Sequence, residues 1–178
     1  MLQMKPERLS VHDFKVQNVS LCGKSFLADM SGALYWPSEK ALIIADLHLE
    51  KGSSYAAQGQ LLPPYDTRET LSRLAEAIDR FDAKTVIALG DSFHDREAAE
   101  RMEPRDADAL RIMQSACEWI WVTGNHDPEI AQWLGGYVID SLTVEGITLC
   151  HEPRGAWTTH EIAGHLHPAA KISRDGYT

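Results

Sequence analysis

The chain has 178 residues, 44% of them hydrophobic, and a formal net charge of −9. That length suits one domain spanning 1–178 with a real core, and the ordinary composition excludes collagen-like, disordered and low-complexity chains. The acidic excess disfavours a protein that coats nucleic acid with a broad basic face.

In chain order, Val16–Leu21 and residues 25–28 read as strands around a turn at Gly23-Lys24. Residues 33–36 lead through Pro37 and Ser38 to an apolar strand at 41–45. The polar stretch 50–67, with Gly52, Gly59, Pro63 and Pro64, reads as a long loop. Leu71, Leu74, Ile78 and Phe81 then recur at helical spacing, and Asp66 with Glu69 has the pattern of a capping box. Thr85–Leu89 is a strand, residues 95–117 are partly helical with Glu97 and Arg101 ordered for an i,i+4 pair, and 119–122 is a further strand. A short helix is expected at 129–134, and strands at 137–140, 142–144, Ile147–Cys150, Glu161–Ala163 and 169–172. Strand–helix–strand units between two β-rich ends indicate an α/β fold with a mixed sheet.

Cys22, Cys117 and Cys150 form no C-x-x-C pair, so neither a disulfide framework nor a thiolate zinc site is expected. The opening MLQMKPERLS lacks the apolar core of a signal peptide, and no apolar run is long enough to span a membrane. The expectation is a soluble, cytoplasmic protein.

Six of the eight His residues fall in five short segments at predicted strand ends. These are Asp46-Leu47-His48, Gly90-Asp91-Ser92-Phe93-His94-Asp95, Gly124-Asn125-His126-Asp127, His151, and Gly164-His165-Leu166-His167. On extended chain, side chains at i and i+2 point to one side, so Asp46 with His48 and His165 with His167 could each converge on one ion. The glycines allow a tight turn before each ligand. Imidazole, carboxylate and one carboxamide, with no thiolate, suit Mn, Fe, Zn or Ni. Asp46, His48, Asp91, Asn125, His151, His165 and His167 are too many for one tetrahedral ion and suit two ions sharing a carboxylate. Such a pair is a standard device for displacement at phosphorus, so phosphoester hydrolysis is the expected reaction.

The order D-x-H, G-D, G-N-H-D, H, G-H-x-H resembles the calcineurin-like metallophosphoesterase superfamily over residues 46–167. The longer strings DLHLEKGSSYAAQGQLLPPYDTRETL, IALGDSFHD, WIWVTGNHDP and EIAGHLHPAA resemble its ligase-associated DNA-damage-response endonucleases. The resemblance implies two mixed sheets in a sandwich flanked by helices, a four-layer αββα arrangement, with metals at the strand C-terminal ends. It implies that Asp46, His48 and His167 hold one metal, that Asp91 bridges, and that Asn125, His151 and His165 hold the other. It makes His126 the proton donor to the leaving group, oriented by Asp127, with a metal-bridging hydroxide as nucleophile. His94 resembles a residue near the phosphate in nuclease members. Two divalent ions are implied, Mn²⁺ foremost, with DNA as substrate and with a DNA ligase, a helicase and a second copy of the chain as partners. The family normally continues through further strands, whereas this sequence ends at Thr178, so the expectation is either a fold that closes differently or one without its last strands.

Two rivals share or imitate the pattern. A phosphodiesterase or phosphatase of nucleotides or cyclic nucleotides would use the same constellation, and a catalytically idle scaffold could shed His126, which this chain keeps. The His-Asp dipeptides at 12–13, 94–95 and 126–127 superficially match helical HD phosphohydrolases, but 126–127 follows a strand and a glycine. Lys51 reads as a solvated loop residue, and Arg96, Arg101, Arg105 and Arg111 as part of a mixed-charge face.

Overall fold

The structure, a computed structural model, describes residues 16–63, 65–155 and 160–168; the strand expected at 169–172 lies outside them. Strands β1 (Val16–Leu21), β2 (Lys24–Asp29), β3 (Leu34–Trp36) and β4 (Ala41–Ile44) form an antiparallel meander. Helices α1 (Lys51–Ala57) and α2 (Asp66–Phe81) lead to β5 (Thr85–Leu89), and α3 (Ala98–Arg101) and α4 (Pro104–Ala116) lead to β6 (Glu118–Val122). With β7 (Tyr137–Ile139), strands β4, β5 and β6 form the parallel half of a seven-stranded sheet ordered β1 to β7. Strands β8 (Ser141–Val144), β9 (Ile147–Cys150) and β10 (Glu161–Ala163) make a second sheet, with β10 parallel to β9.

The two faces of the large sheet explain its apolar runs. Leu42, Ile44, Val86, Ala88, Trp119 and Trp121 pack with Leu71, Leu74, Leu110 and Met113 of α2 and α4. Their alternates Ala41, Ile43, Ile87, Leu89 and Val122 pack with Ile147 and Leu149 of the small sheet. Parallel strands buried on both faces are therefore continuously apolar, and each large side chain taken from water contributes about 1.5–3 kcal/mol. The mixed α/β architecture with two sheets is as expected. Among the described residues the helices cover the large sheet only.

Three local expectations are corrected. Residues 51–57 form α1 rather than loop, although Gly52, Ser53 and Ser54 are weak helix formers. Tertiary contacts override propensity: Glu50 N–H donates to Thr67 Oγ1 at 2.8 Å and Gly52 N–H to Asp66 Oδ2 at 2.9 Å. A Cβ on Gly52 would lie 2.8 Å from Asp66 Oδ1, so a side chain there would displace the carboxylate that accepts the Gly52 N–H. The capping box does not form, because Tyr65 is the N-cap, Asp66 serves Gly52 and Glu69 pairs with Arg73 at 2.6 Å. Finally, residues 129–134 make turns, not a helix. The Gly135 carbonyl that follows is taken by Trp121 Nε1 and Gln114 Nε2 and not by a helical N–H.

Candidate metal centre

Strands β4, β5 and β6 run parallel to one another, as do β9 and β10, and each is followed within a few residues by one of the expected motifs. The backbone there is not extended. Asp46, His48, Asp91, His165 and His167 all have left-handed φ, between 40° and 67°. The i,i+2 pairs therefore converge through left-handed turns, which corrects the extended-chain expectation. Each such residue costs about 1–2 kcal/mol, strain that surrounding bonds must offset. The two loops are laced together: Asp46 N–H donates to Gly90 O, His48 N–H to Asp91 O, and His94 N–H to Leu49 O, at 2.9–3.1 Å.

Asp127 ties in the third loop. Its buried carboxylate accepts N–H bonds from Asp91, Ser92, Phe93 and Gly124 at 2.8–3.1 Å. Burial raises its pKa, while the Phe93 and Ser92 amides pull it down. The glycines serve close approach as well as turning. A Cβ on Gly124 would stand 2.3 Å from Asp91 N, and one on Gly90 would stand 2.5 Å from the His151 ring.

Three groups of ligand atoms result: Asp46, His48 and His167; Asp91, His151 and His165; and His48, His94 and His126. Asp46 Oδ1 lies 3.6 Å from His167 Nε2, which is 3.4 Å from His48 Nε2. Asp91 Oδ2 lies 3.4 Å from His151 Nε2. Asn125 Oδ1 is 3.0 Å from His151 Nε2 and 3.1 Å from His165 Nδ1, joining the second group. Two atoms bound at ~2.1 Å to one ion, at tetrahedral or right angles, sit roughly 3.0–3.4 Å apart. The donor set thus fits divalent ions, and several of these separations are long for hydrogen bonds.

Ring orientation is fixed from behind. His151 Nδ1–H donates to Leu89 O at 2.9 Å, which frees Nε2 toward Asn125 and Asp91. Asp91 shares its second oxygen with His126 N–H at 2.9 Å, and both Asp46 oxygens accept from His165 N–H at 3.0 and 3.1 Å. Asp91 falls in the group of His151 and His165 and not in that of Asp46. Burial lowers the pKa of His48, opposed by Asp91, and also lowers that of His94, with His126 and Lys51 adding to the effect.

All ten expected residues lie in this region, but one relationship differs. Asp127 does not orient His126, whose Nδ1–H donates to His94 O at 2.7 Å. The rings of His48, His94 and His126 stand 5.0–5.6 Å apart, centroid to centroid. Tyr55 of α1 stacks on His94 at 5.8 Å, a neighbour hidden because α1 has no apolar periodicity. The expected Glu97–Arg101 pair forms at 3.8 Å, yet Arg101 binds Asp95 more closely at 2.6 Å. A cleft of about 560 Å³ opens beside Asn125 and His151, bounded also by Thr123, Asp140 and Arg154.

A family profile described as calcineurin-like phosphoesterase matches residues 40–170. The chain is also similar to the crystal structure of the Pseudomonas putida nuclease MPE, at 30% identity and a TM-score of 0.70. That likeness covers 86% of this chain and 74% of the other. No curated protein matches the chain significantly.

Proposed function

The chain belongs to the calcineurin-like phosphoesterase family and is a metal-dependent phosphoesterase; on that premise we propose that it is a nuclease hydrolysing DNA phosphodiesters in repair. The observation that carries the reading is the meeting of seven N and O donors, drawn from both sheets, beside a His whose ring is separately oriented. In this reading Asp46, His48 and His167 hold one ion, and Asn125, His151 and His165 hold the other. Asp91, grouped with His151 and His165, would reach across to bridge the two ions. The oxygen and imidazole donors, with no thiolate, favour Mn²⁺, with Fe, Zn and Ni as alternatives. When bound, such a pair supplies an activated water and positive charge beside the phosphoryl oxygens.

The chain's own groups do the rest. His94 O holds the proton on His126 Nδ1, so Nε2 is the nitrogen that carries a proton to the departing oxygen. Asp127 positions the loops bearing Asp91 and His126 by gathering their N–H groups. His94 presents its imidazole beside His126 and would contact the phosphoryl group. Likeness to a nuclease supports a polynucleotide substrate. The role implies a cytoplasmic protein working with a DNA ligase and a helicase, as a monomer or a homodimer.

The test is a panel with Mn²⁺-loaded protein: single-stranded DNA, duplex DNA, a 2′,3′-cyclic nucleotide and a phosphomonoester. Cleavage of DNA well above the small substrates is expected. Preference for the cyclic nucleotide would replace the nuclease reading with the small-molecule one, and no cleavage of any ester would leave a scaffold.

A further inference from the structure

Of the third histidine group, a two-ion centre uses only His48 as a ligand. His48, His94 and His126 each offer a ring nitrogen, and the three atoms lie within 4.8 Å of one another. His48 Nδ1 and His94 Nδ1 are buried without a hydrogen-bond partner among the described residues. His126 Nδ1 is committed to His94 O, which leaves Nε2 as its free donor. The group is half-buried and is walled by the Tyr55 ring stacked on His94.

Its chemistry differs from that of its neighbours. The other two groups each contain a carboxylate, Asp46 or Asp91, whereas this one is imidazole only. Oxygen-rich sites serve Mn²⁺, while an all-imidazole set selects Cu²⁺, Zn²⁺ or Ni²⁺ over Mn²⁺ by donor softness and the Irving–Williams order. We propose that His48, His94 and His126 form an additional, inhibitory site for an imidazole-preferring divalent ion. It rests on the two-ion reading above. Because His126 Nε2 becomes a ligand, an ion held there withdraws the proton donor.

The probe is Cu²⁺ added to Mn²⁺-loaded protein, with metal content counted after desalting and the copper environment read by electron paramagnetic resonance. The wild type should retain Mn²⁺ and gain one Cu²⁺ whose hyperfine pattern reports three nitrogens, a number neither carboxylate group supplies from its own imidazoles. His94→Ala, or His94→Asn if alanine fails to fold, should keep the Mn²⁺ pair and lose that signal. Turnover of the wild type should fall at least tenfold as the copper is taken up. No Cu²⁺ beyond Mn²⁺ exchange, or an unchanged three-nitrogen signal in both variants, overturns the proposal. Failure to bind a Mn²⁺ pair in the first place would instead overturn the two-ion reading, so the two failures are distinguishable.

Discussion

His126 Nδ1–H donates to the carbonyl oxygen of His94 at 2.7 Å. A carbonyl only accepts, so this bond assigns the Nδ1 proton and leaves Nε2 free to face the leaving group. His126→Ala should therefore keep both ions and lose turnover by about 10²–10⁴-fold. The loss should shrink with a p-nitrophenolate leaving group, which departs without a proton. Equal losses for nitrophenyl and alkyl diesters, measured at matched metal content, would contradict the assignment.

Asp127→Asn should act on the scaffold. The carboxylate gathers N–H donors from Asp91, Ser92, Phe93 and Gly124 on two of the site loops. An amide turns one acceptor into a donor facing those N–H groups, at a cost of about 1–3 kcal/mol. The melting temperature should fall by roughly 2–10 °C, and metal affinity by about 10–100-fold. Unchanged melting and metal uptake would show that the loops hold without it.

Gly124→Ala probes close approach. Its Cβ would lie 2.3 Å from both Asp91 N and Asp91 Oδ1, and 2.8 Å from Asp127 Oδ1. Something must move, and what moves is the Asp91 loop. We expect a folded protein by circular dichroism whose metal content is reduced. A fully loaded and active variant would mean that the loop yields without cost.

These relationships mark what the sequence could and could not disclose. The strands were legible because Leu42, Val86 and Trp121 face helices while Ile43, Ile87 and Val122 face the small sheet, so both faces are apolar. Helix α1 was not, since it buries Gly52 and Ser54 rather than an apolar stripe and is held by Asp66 and Thr67 of the next helix. That Asp46, His48, Asp91, Asn125, His151, His165 and His167 would gather in one region was legible from motif order. The left-handed backbone at Asp46, His48, Asp91, His165 and His167 was not, because tertiary bonding enforces it against intrinsic preference. Nor could His48, His94 and His126 be grouped, since the motif order assigns them separate roles and only the folded loops bring their rings together.

The Asp29–Arg80 pair should govern acid stability away from the site. Asp29 is buried and meets Arg80 Nη1 at 2.6 Å. Burial raises its pKa, but hydrogen bonds from Ser31 and the charge of Arg80 outweigh it, and the net shift is downward. A depressed carboxylate contributes stability fully present above its unfolded pKa of about 3.9 and lost as pH falls through the lower folded value. Asp29→Asn should melt lower than wild type at neutral pH, and the gap should narrow on acidification. A gap constant with pH would exclude the pair as its source.

The account turns on two ions held around Asp91, and the most direct measurement is a Mn²⁺ titration of metal-free protein that follows hydrolysis of an activated phosphodiester. Activity should be absent at the start, continue to rise through the second equivalent and then level off, with Asp91→Asn binding less metal and staying inactive throughout. Full activity at one equivalent, or hydrolysis that persists under a chelator, would contradict the two-ion centre.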